Sequence, residues 1–152
     1  ERFRHYAKQM LLFDKCLEGM RQAFPQVESL AEIHGIGLYS ALLIVAEIGE
    51  VERFRTAKQV GAYSGLTSRV HQSGGHCYQG SITRQGSPWL RWVLVQAAMK
   101  AVHKDVALKN FYSRIRKRSS AKIARVAAAR KLAEICWKRL RQWQREHAGQ
   151  AA

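Results

Sequence analysis

The amino-acid sequence predicts an all-α fold: one helical domain of five to seven helices, with an N-terminal coiled-coil stub and an irregular Gly-rich loop between Gly65 and Gly86. Apolar residues recur at alternating steps of three and four along several segments, the period of a helix with one buried face. Helix-starting signatures at Thr56 and at Ser87-Pro88 punctuate them. At 152 residues a single hydrophobic core is expected, burying roughly two-thirds of the unfolded surface. The expected division is a coiled-coil stub over 1–25 and a helical domain over 26–152. The latter comprises a helix-hairpin-helix at 27–49, a loop at 65–86 and basic helices over 87–147.

The first helix places Phe3, Tyr6, Met10, Phe13, Leu17, Met20 and Phe24 on one seam. Such a heptad suits a coiled-coil homodimer or higher oligomer, and equally a stripe packed on the chain's own core. The seam begins without an obvious cap, as expected of a fragment of a longer coiled coil. Pro25 cannot continue helical hydrogen bonding and marks the boundary. Ser29–Ile33, Gly35-Ile36-Gly37 and Leu38–Ile48 then read as helix, tight turn and helix, resembling a helix-hairpin-helix. In that motif the glycines permit the turn, and backbone N–H groups at the second helix's start bind a phosphate without reading sequence. Leu38, Tyr39 and Ser40 stand where a Lys or Arg is expected. Phosphate docking at Gly35 and Gly37 and plain helix-pair packing are therefore both open.

Thr56-Ala57-Lys58-Gln59 has the capping-box form, for a helix ending near Gly65. Strand-like pieces are expected around Ser68–Val70 and Gly80–Thr83. Ser87 as cap and Pro88 as first helical residue open a helix reaching about His103, in which Trp89 and Trp92 are expected to pack; stacking on bases is their alternative use. A short helix over Ala107–Lys117 follows. The last helix begins at Ser119 or Ser120 and reaches His147, with Ile123, Val126, Ala127, Ala133, Cys136, Trp137, Leu140 and Trp143 on its apolar stripe.

Charge points to a polyanionic partner. The chain carries 26 Lys and Arg against 11 Asp and Glu, a net +15. Residues 1–79 hold 9 basic and 8 acidic side chains, whereas residues 80–152 hold 17 and 3, so nearly all the excess lies in the second half. Lys122, Arg125, Arg130 and Lys131 lead the candidate nucleic-acid groove on the last helix, where few carboxylates are available to pair with them. No apolar run reaches the roughly 18 residues of a spanning helix, and Glu1-Arg2-Phe3-Arg4 does not resemble a secretory leader. Three widely spaced cysteines, Cys16, Cys77 and Cys136, with no CxxC, suit a reducing compartment. The expected location is cytoplasmic and nucleoid-associated.

Within the loop, Ser73 precedes Gly74 and Gly75, which let a substrate approach the backbone closely, and Arg84 and Arg91 supply positive charge downstream. By local pattern this is a surface hairpin; its chemical reading is a serine nucleophile for a phosphodiester. Tyr78 is a second hydroxyl in the loop. His71, His76 and Cys77 match no usual zinc spacing and lack a fourth ligand, so no metal site is expected in this chain.

In order, His34-Gly35-Ile36-Gly37, Ala46-Glu47-Ile48-Gly49 with Arg53-Phe54, Gly65-Leu66, Ser73-Gly74, Gly80-Ser81-Ile82-Thr83-Arg84-Gln85-Gly86, Leu90-Arg91 and Ala127-Ala128-Ala129-Arg130-Lys131-Leu132-Ala133 form a collinear signature. It resembles the C-terminal transposase domain of the insertion-sequence recombinases related to the Piv and MooV DNA invertases, across about Leu30 to Leu140. Ser87-Pro88 departs from that pattern, in which Asn or Asp follows the glycine. The resemblance implies a site-specific recombinase or transposase of mobile DNA, in which the serine at position 73 attacks a phosphodiester and becomes linked to DNA. It further implies a RuvC-like domain ahead of the coiled coil, whose four carboxylates bind a divalent metal such as Mg and complete a composite site within a dimer. That domain is not in this sequence, so the chain alone is expected to bind nucleic acid without cleaving it. Some members are directed by a structured guide RNA, a further partner the resemblance allows. Arg84 and Arg91 are then the candidates for phosphate contacts near the scissile bond; their alternative is a surface or helix-capping role.

Two readings from other classes compete. One is a non-enzymatic helix-hairpin-helix DNA- or RNA-binding module of a repair or scaffold protein. The other is a coiled-coil dimerisation module whose basic tail serves solubility.

Overall fold

The computed structural model describes residues 2–73 and 76–148, with positions 70–73 and 76–79 as backbone alone. Its elements are α1 (Arg2–Ala23), α2 (Gln26–Ala31), α3 (Leu38–Ile48), a 3-10 turn at Val51–Arg53, α4 (Ala57–Tyr63), β1 (Ser68–Ser73), β2 (His76–Ile82), α5 (Pro88–Lys104), α6 (Val106–Arg118) and α7 (Ala121–His147). The chain is thus all-α, with one two-stranded antiparallel sheet among the described residues.

Local chemistry sets the boundaries. The Leu90 amide donates to Ser87 Oγ at 3.0 Å, that of Leu108 to Asp105 Oδ1 at 2.8 Å and that of Ile123 to Ser120 Oγ at 3.3 Å. Thr56 and Gln59 close a capping box at the start of α4. Each cap satisfies amides that the first helical turn leaves without a partner. Arg53 terminates α3 from outside: its Nε donates to the Ile48 carbonyl at 2.9 Å and its Nη2 to that of Glu47 at 3.2 Å. The same guanidinium lies over the Phe54 and Tyr63 rings, 4.5 and 4.4 Å from their centres. The Glu47–Gly49 and Arg53-Phe54 pair of motifs is therefore one folded corner.

The core is built around α7, which packs on α2, α4, α5 and α6. Ala124, Ala128, Ala129 and Ala133 are fully buried along it, and such small side chains let neighbouring backbones come close. Leu30, Ile44, Ile48, Leu90, Leu94 and Leu132 fill the space between, each stabilising the fold by about 1.5–3 kcal/mol through burial. Trp137 reaches across this core, its Nε1 donating to the Phe54 carbonyl at 3.2 Å.

Some elements differ from the sequence expectation. The strand-like pieces extend to Ser68–Ser73 and His76–Ile82, so paired strands occupy most of the stretch expected to be irregular. The helix expected at Ser29–Ile33 starts earlier, at Gln26, and ends at Ala31. Trp89 and Trp92 do not pack inside: they are 61% and 48% exposed. The polar residues that mark the solvent side of their helix, Gln96, Lys100 and His103, lie one or more turns further on, so the two tryptophans at its start read as core positions. Finally, α1 buries none of its residues, and Phe3, Tyr6, Met10, Phe13 and Met20 stand exposed on its seam while Leu17 touches the core. The chain's own core does not cover that stripe. Among the described residues no helix is long and apolar enough to cross a membrane.

Candidate nucleic-acid interface

The serine-bearing hairpin is anchored on the helical body by a tightly fixed base. Its strands pair antiparallel from Ser68 opposite Ile82 to Ser73 opposite His76, with an irregularity between Ser68 and Val70. Below them, the Thr83 amide donates to the Thr67 carbonyl at 2.9 Å and that of Arg84 to Gly65 at 3.3 Å. Gly65 and Gly86 hold φ of +68° and +100°, the left-handed region that glycine enters without strain. A Cβ on Gly86 would collide with the Tyr63 carbonyl oxygen, and one on Gly65 would lie 2.5 Å from that of Gln85. Arg91 secures the same junction: its Nη1 donates to the Ser64 carbonyl at 3.3 Å, and the buried Ser64 hydroxyl donates to the Gly61 carbonyl at 2.9 Å.

Ser73 ends β1, five residues beyond Ser68, about 17 Å along an extended strand. Arg84 and Arg91 belong to the base, at the opposite end of the hairpin. Arg84 is exposed, with a left-handed φ of +55° unusual for its type. Gly74 lies outside the described residues, as do the side chains of Ser73, His71, His76, Cys77 and Tyr78.

The two glycines of the α2–α3 turn have different work. Gly35, at φ +90°, sits against α5 so closely that a Cβ would be 2.5 Å from the Ala97 carbonyl oxygen and 2.6 Å from the Ala101 nitrogen. Gly37 precedes α3 in open space, with nothing within 4 Å of an added Cβ. Beside this turn lies a cleft of about 530 Å³, lined by residues 31–37 and by Lys100, His103 and Lys104 of α5. The cations missing at Leu38–Ser40 thus come from a helix more than sixty residues away in sequence, beyond the reach of motif spacing.

Of the four cations singled out on α7, Lys122 and Arg125 are exposed and form no salt bridge among the described residues. They follow Arg116, Lys117 and Arg118 in the last turn of α6 across Ser119 and Ser120. Arg130 is half-buried with its chain over Gly61, and Lys131 pairs with Glu134 at 3.6 Å. The groove candidates therefore divide into two free cations and two engaged ones.

Among the described residues no group of three or more His, Cys, Asp or Glu side chains could hold a metal ion. Cys136 is fully buried, and burial pushes its thiol up to about 12. Cys16 is exposed.

Residues 27–113 match the Transposase IS116/IS110/IS902 family, and the chain belongs to it. It is 33% identical over 116 residues to a "Probable family 20 transposase" of Pseudomonas aeruginosa, covering 74% of this chain and 34% of that protein. It is 27% identical over 129 residues to the "Transposase for insertion sequence element IS1111A" of Coxiella burnetii, covering 82% and 35%. A "Pilin gene-inverting protein" of Moraxella bovis is 29% identical over 149 residues, 93% of this chain and 46% of that protein. The chain thus spans about a third to a half of the length of these relatives.

Proposed function

We propose that this chain is the C-terminal domain of a DNA transposase or site-specific recombinase, holding DNA through its basic helices and supplying Ser73 as the nucleophile for strand cleavage and exchange. The observation that carries the reading is the hairpin: Gly65, Gly86 and Arg91 fix its base, and Ser73 ends its first strand about 17 Å away. Relatives named as transposases and as gene-inverting proteins supply the reaction class.

In the reaction, Ser73 Oγ attacks the phosphorus of a DNA phosphodiester. A serine–phosphate ester forms, the bond to the leaving sugar oxygen breaks, and the serine proton passes to a base. The ester preserves a phosphodiester's reactivity, so the attack of another strand's hydroxyl restores DNA and frees the serine. Divalent metal bound by an acidic domain would stabilise the charge on the phosphate oxygens. In this reading the acidic half of the site is supplied by a domain outside this sequence. The chain alone binds DNA and leaves it uncut. The uncovered seam of α1 supports a homodimer, in which one copy's hairpin meets the acidic domain of another. A guide RNA would supply sequence choice by pairing, in keeping with an interface of cations rather than base-reading side chains.

In the intact protein, Ser73→Ala should abolish covalent protein–DNA species while DNA affinity stays within about twofold. Equal covalent product from both proteins would overturn the serine mechanism. It would favour the non-enzymatic binding module only if neither formed any.

A further inference from the structure

The outer face of α5 has a pattern that the core does not explain. Trp89, Trp92, Gln96, Lys100 and His103 are all exposed, and at 100° per residue they fall within an arc of about 80°. Two tryptophans thus start a stripe at the hairpin base, and Lys100 and His103, joined by Lys104, finish it at the cleft beside Gly35–Gly37. From Trp89 to Lys100 the stripe measures about 17 Å. That is roughly five steps of a stacked strand at 3.4 Å per nucleotide.

We infer that this face binds an unpaired stretch of nucleic acid, with bases stacked on Trp89 and Trp92 and the backbone leading to Lys100 and Lys104. The inference rests on the nucleic-acid reading given above and assigns the strand form it takes. Indole rings about half exposed offer a flat apolar surface that a base can cover, and a duplex hides its base faces whereas a single strand presents them. Lysines continuing the stripe, in a half-chain carrying 17 basic and 3 acidic residues, match a phosphate backbone and disfavour a neutral protein surface as occupant.

The test uses this 152-residue chain with fluorescein-labelled (dT)15, (rU)15 and a 15-base-pair duplex, read by anisotropy at several salt concentrations. W89A/W92A should weaken single-strand binding at least about tenfold, since each stacked ring contributes roughly 5- to 150-fold, and change duplex binding less than about twofold. W89F/W92F, which keeps a ring at each position, should recover most of the loss. K100Q/K104Q should lower the single-strand salt slope by up to about 1.4 while leaving the protein's fluorescence quenching by (dT)15 in place. A loss confined to (dT)15 or to (rU)15 identifies the strand as DNA or RNA. Single-strand affinity unchanged in W89A/W92A overturns the stacking platform and leaves a protein surface as the occupant of the tryptophans. Wild-type protein that binds none of the three probes overturns the nucleic-acid reading itself.

Discussion

Gly35 and Ala97 hold two parts of the domain in contact: a Cβ on the glycine would lie 2.5 Å from the alanine carbonyl oxygen. The turn between α2 and α3 is thereby seated on α5, and the cleft beside it acquires Lys100, His103 and Lys104. A backbone made for phosphate docking and one made for packing are usually offered as alternatives. Here Gly35 has the packing role, and only Gly37 faces open space.

Gly35→Ala combines a left-handed backbone with a backbone clash and should cost about 2–4 kcal/mol. Thermal unfolding should show a drop of roughly 5 °C or more. Gly37→Ala, at an unobstructed helix start, should cost under about 1 kcal/mol. Equal melting temperatures for the two variants would contradict the seating of the turn on α5.

Arg91→Ala removes a charge-assisted hydrogen bond to the Ser64 carbonyl at the hairpin base. Hydrogen exchange at the Thr83 and Arg84 amides, which close that base, should quicken about tenfold, corresponding to roughly 1.4 kcal/mol. Amides in the middle of α7 should keep their protection. Unchanged exchange at both base amides would mean that Gly65 and Gly86 hold the hairpin without the arginine.

Cys136 and Cys16 should differ sharply in chemistry. Iodoacetamide at pH 8 should label Cys16 in the folded chain and reach Cys136 only on unfolding, as peptide mapping would show. The buried thiol also links stability to alkaline pH. Its folded value of about 12 lies above the ordinary 9.0, so in that window the unfolded chain holds fewer protons. Stability then falls as pH rises from about 9 towards 12. Cys136→Ala should flatten that decline relative to wild type, measured by urea unfolding at pH 8 and pH 10.

The exposed cations on α7 make a separate prediction. Lys122→Gln with Arg125→Gln should reduce the salt slope of duplex binding by up to about 1.8, with little effect on melting temperature. Lys131→Gln, which removes the partner of Glu134, should change the slope less. An identical slope in all three proteins would place the duplex elsewhere.

Helix starts were legible in the sequence wherever a side chain announces them. Ser87 with Pro88, Thr56 with Gln59, and Ser120 all cap the helices expected of them. Asp105 caps the next helix, which begins at Val106 rather than at the expected Ala107. Strand length was less legible, because residues 68–82 mix polar and apolar types without a regular alternation. Long-range relationships left no local mark at all: Trp137 to the Phe54 carbonyl, Arg139 to Glu32 at 3.5 Å, and the lysines of α5 beside the α2–α3 turn. Ser73 is a candidate through its place in an ordered set of motifs, whereas the role of Arg91 at the hairpin base is visible only in the fold.

The central claim is that Ser73 becomes bonded to DNA. The most direct measurement is mass spectrometry of the intact protein, digested by nuclease and protease after reaction with a DNA carrying the element's end. A nucleotide phosphate on the peptide containing Ser73, absent from Ser73→Ala, is the predicted result. A nucleotide phosphate found instead on Tyr78, or covalent DNA undiminished in Ser73→Ala, would contradict it.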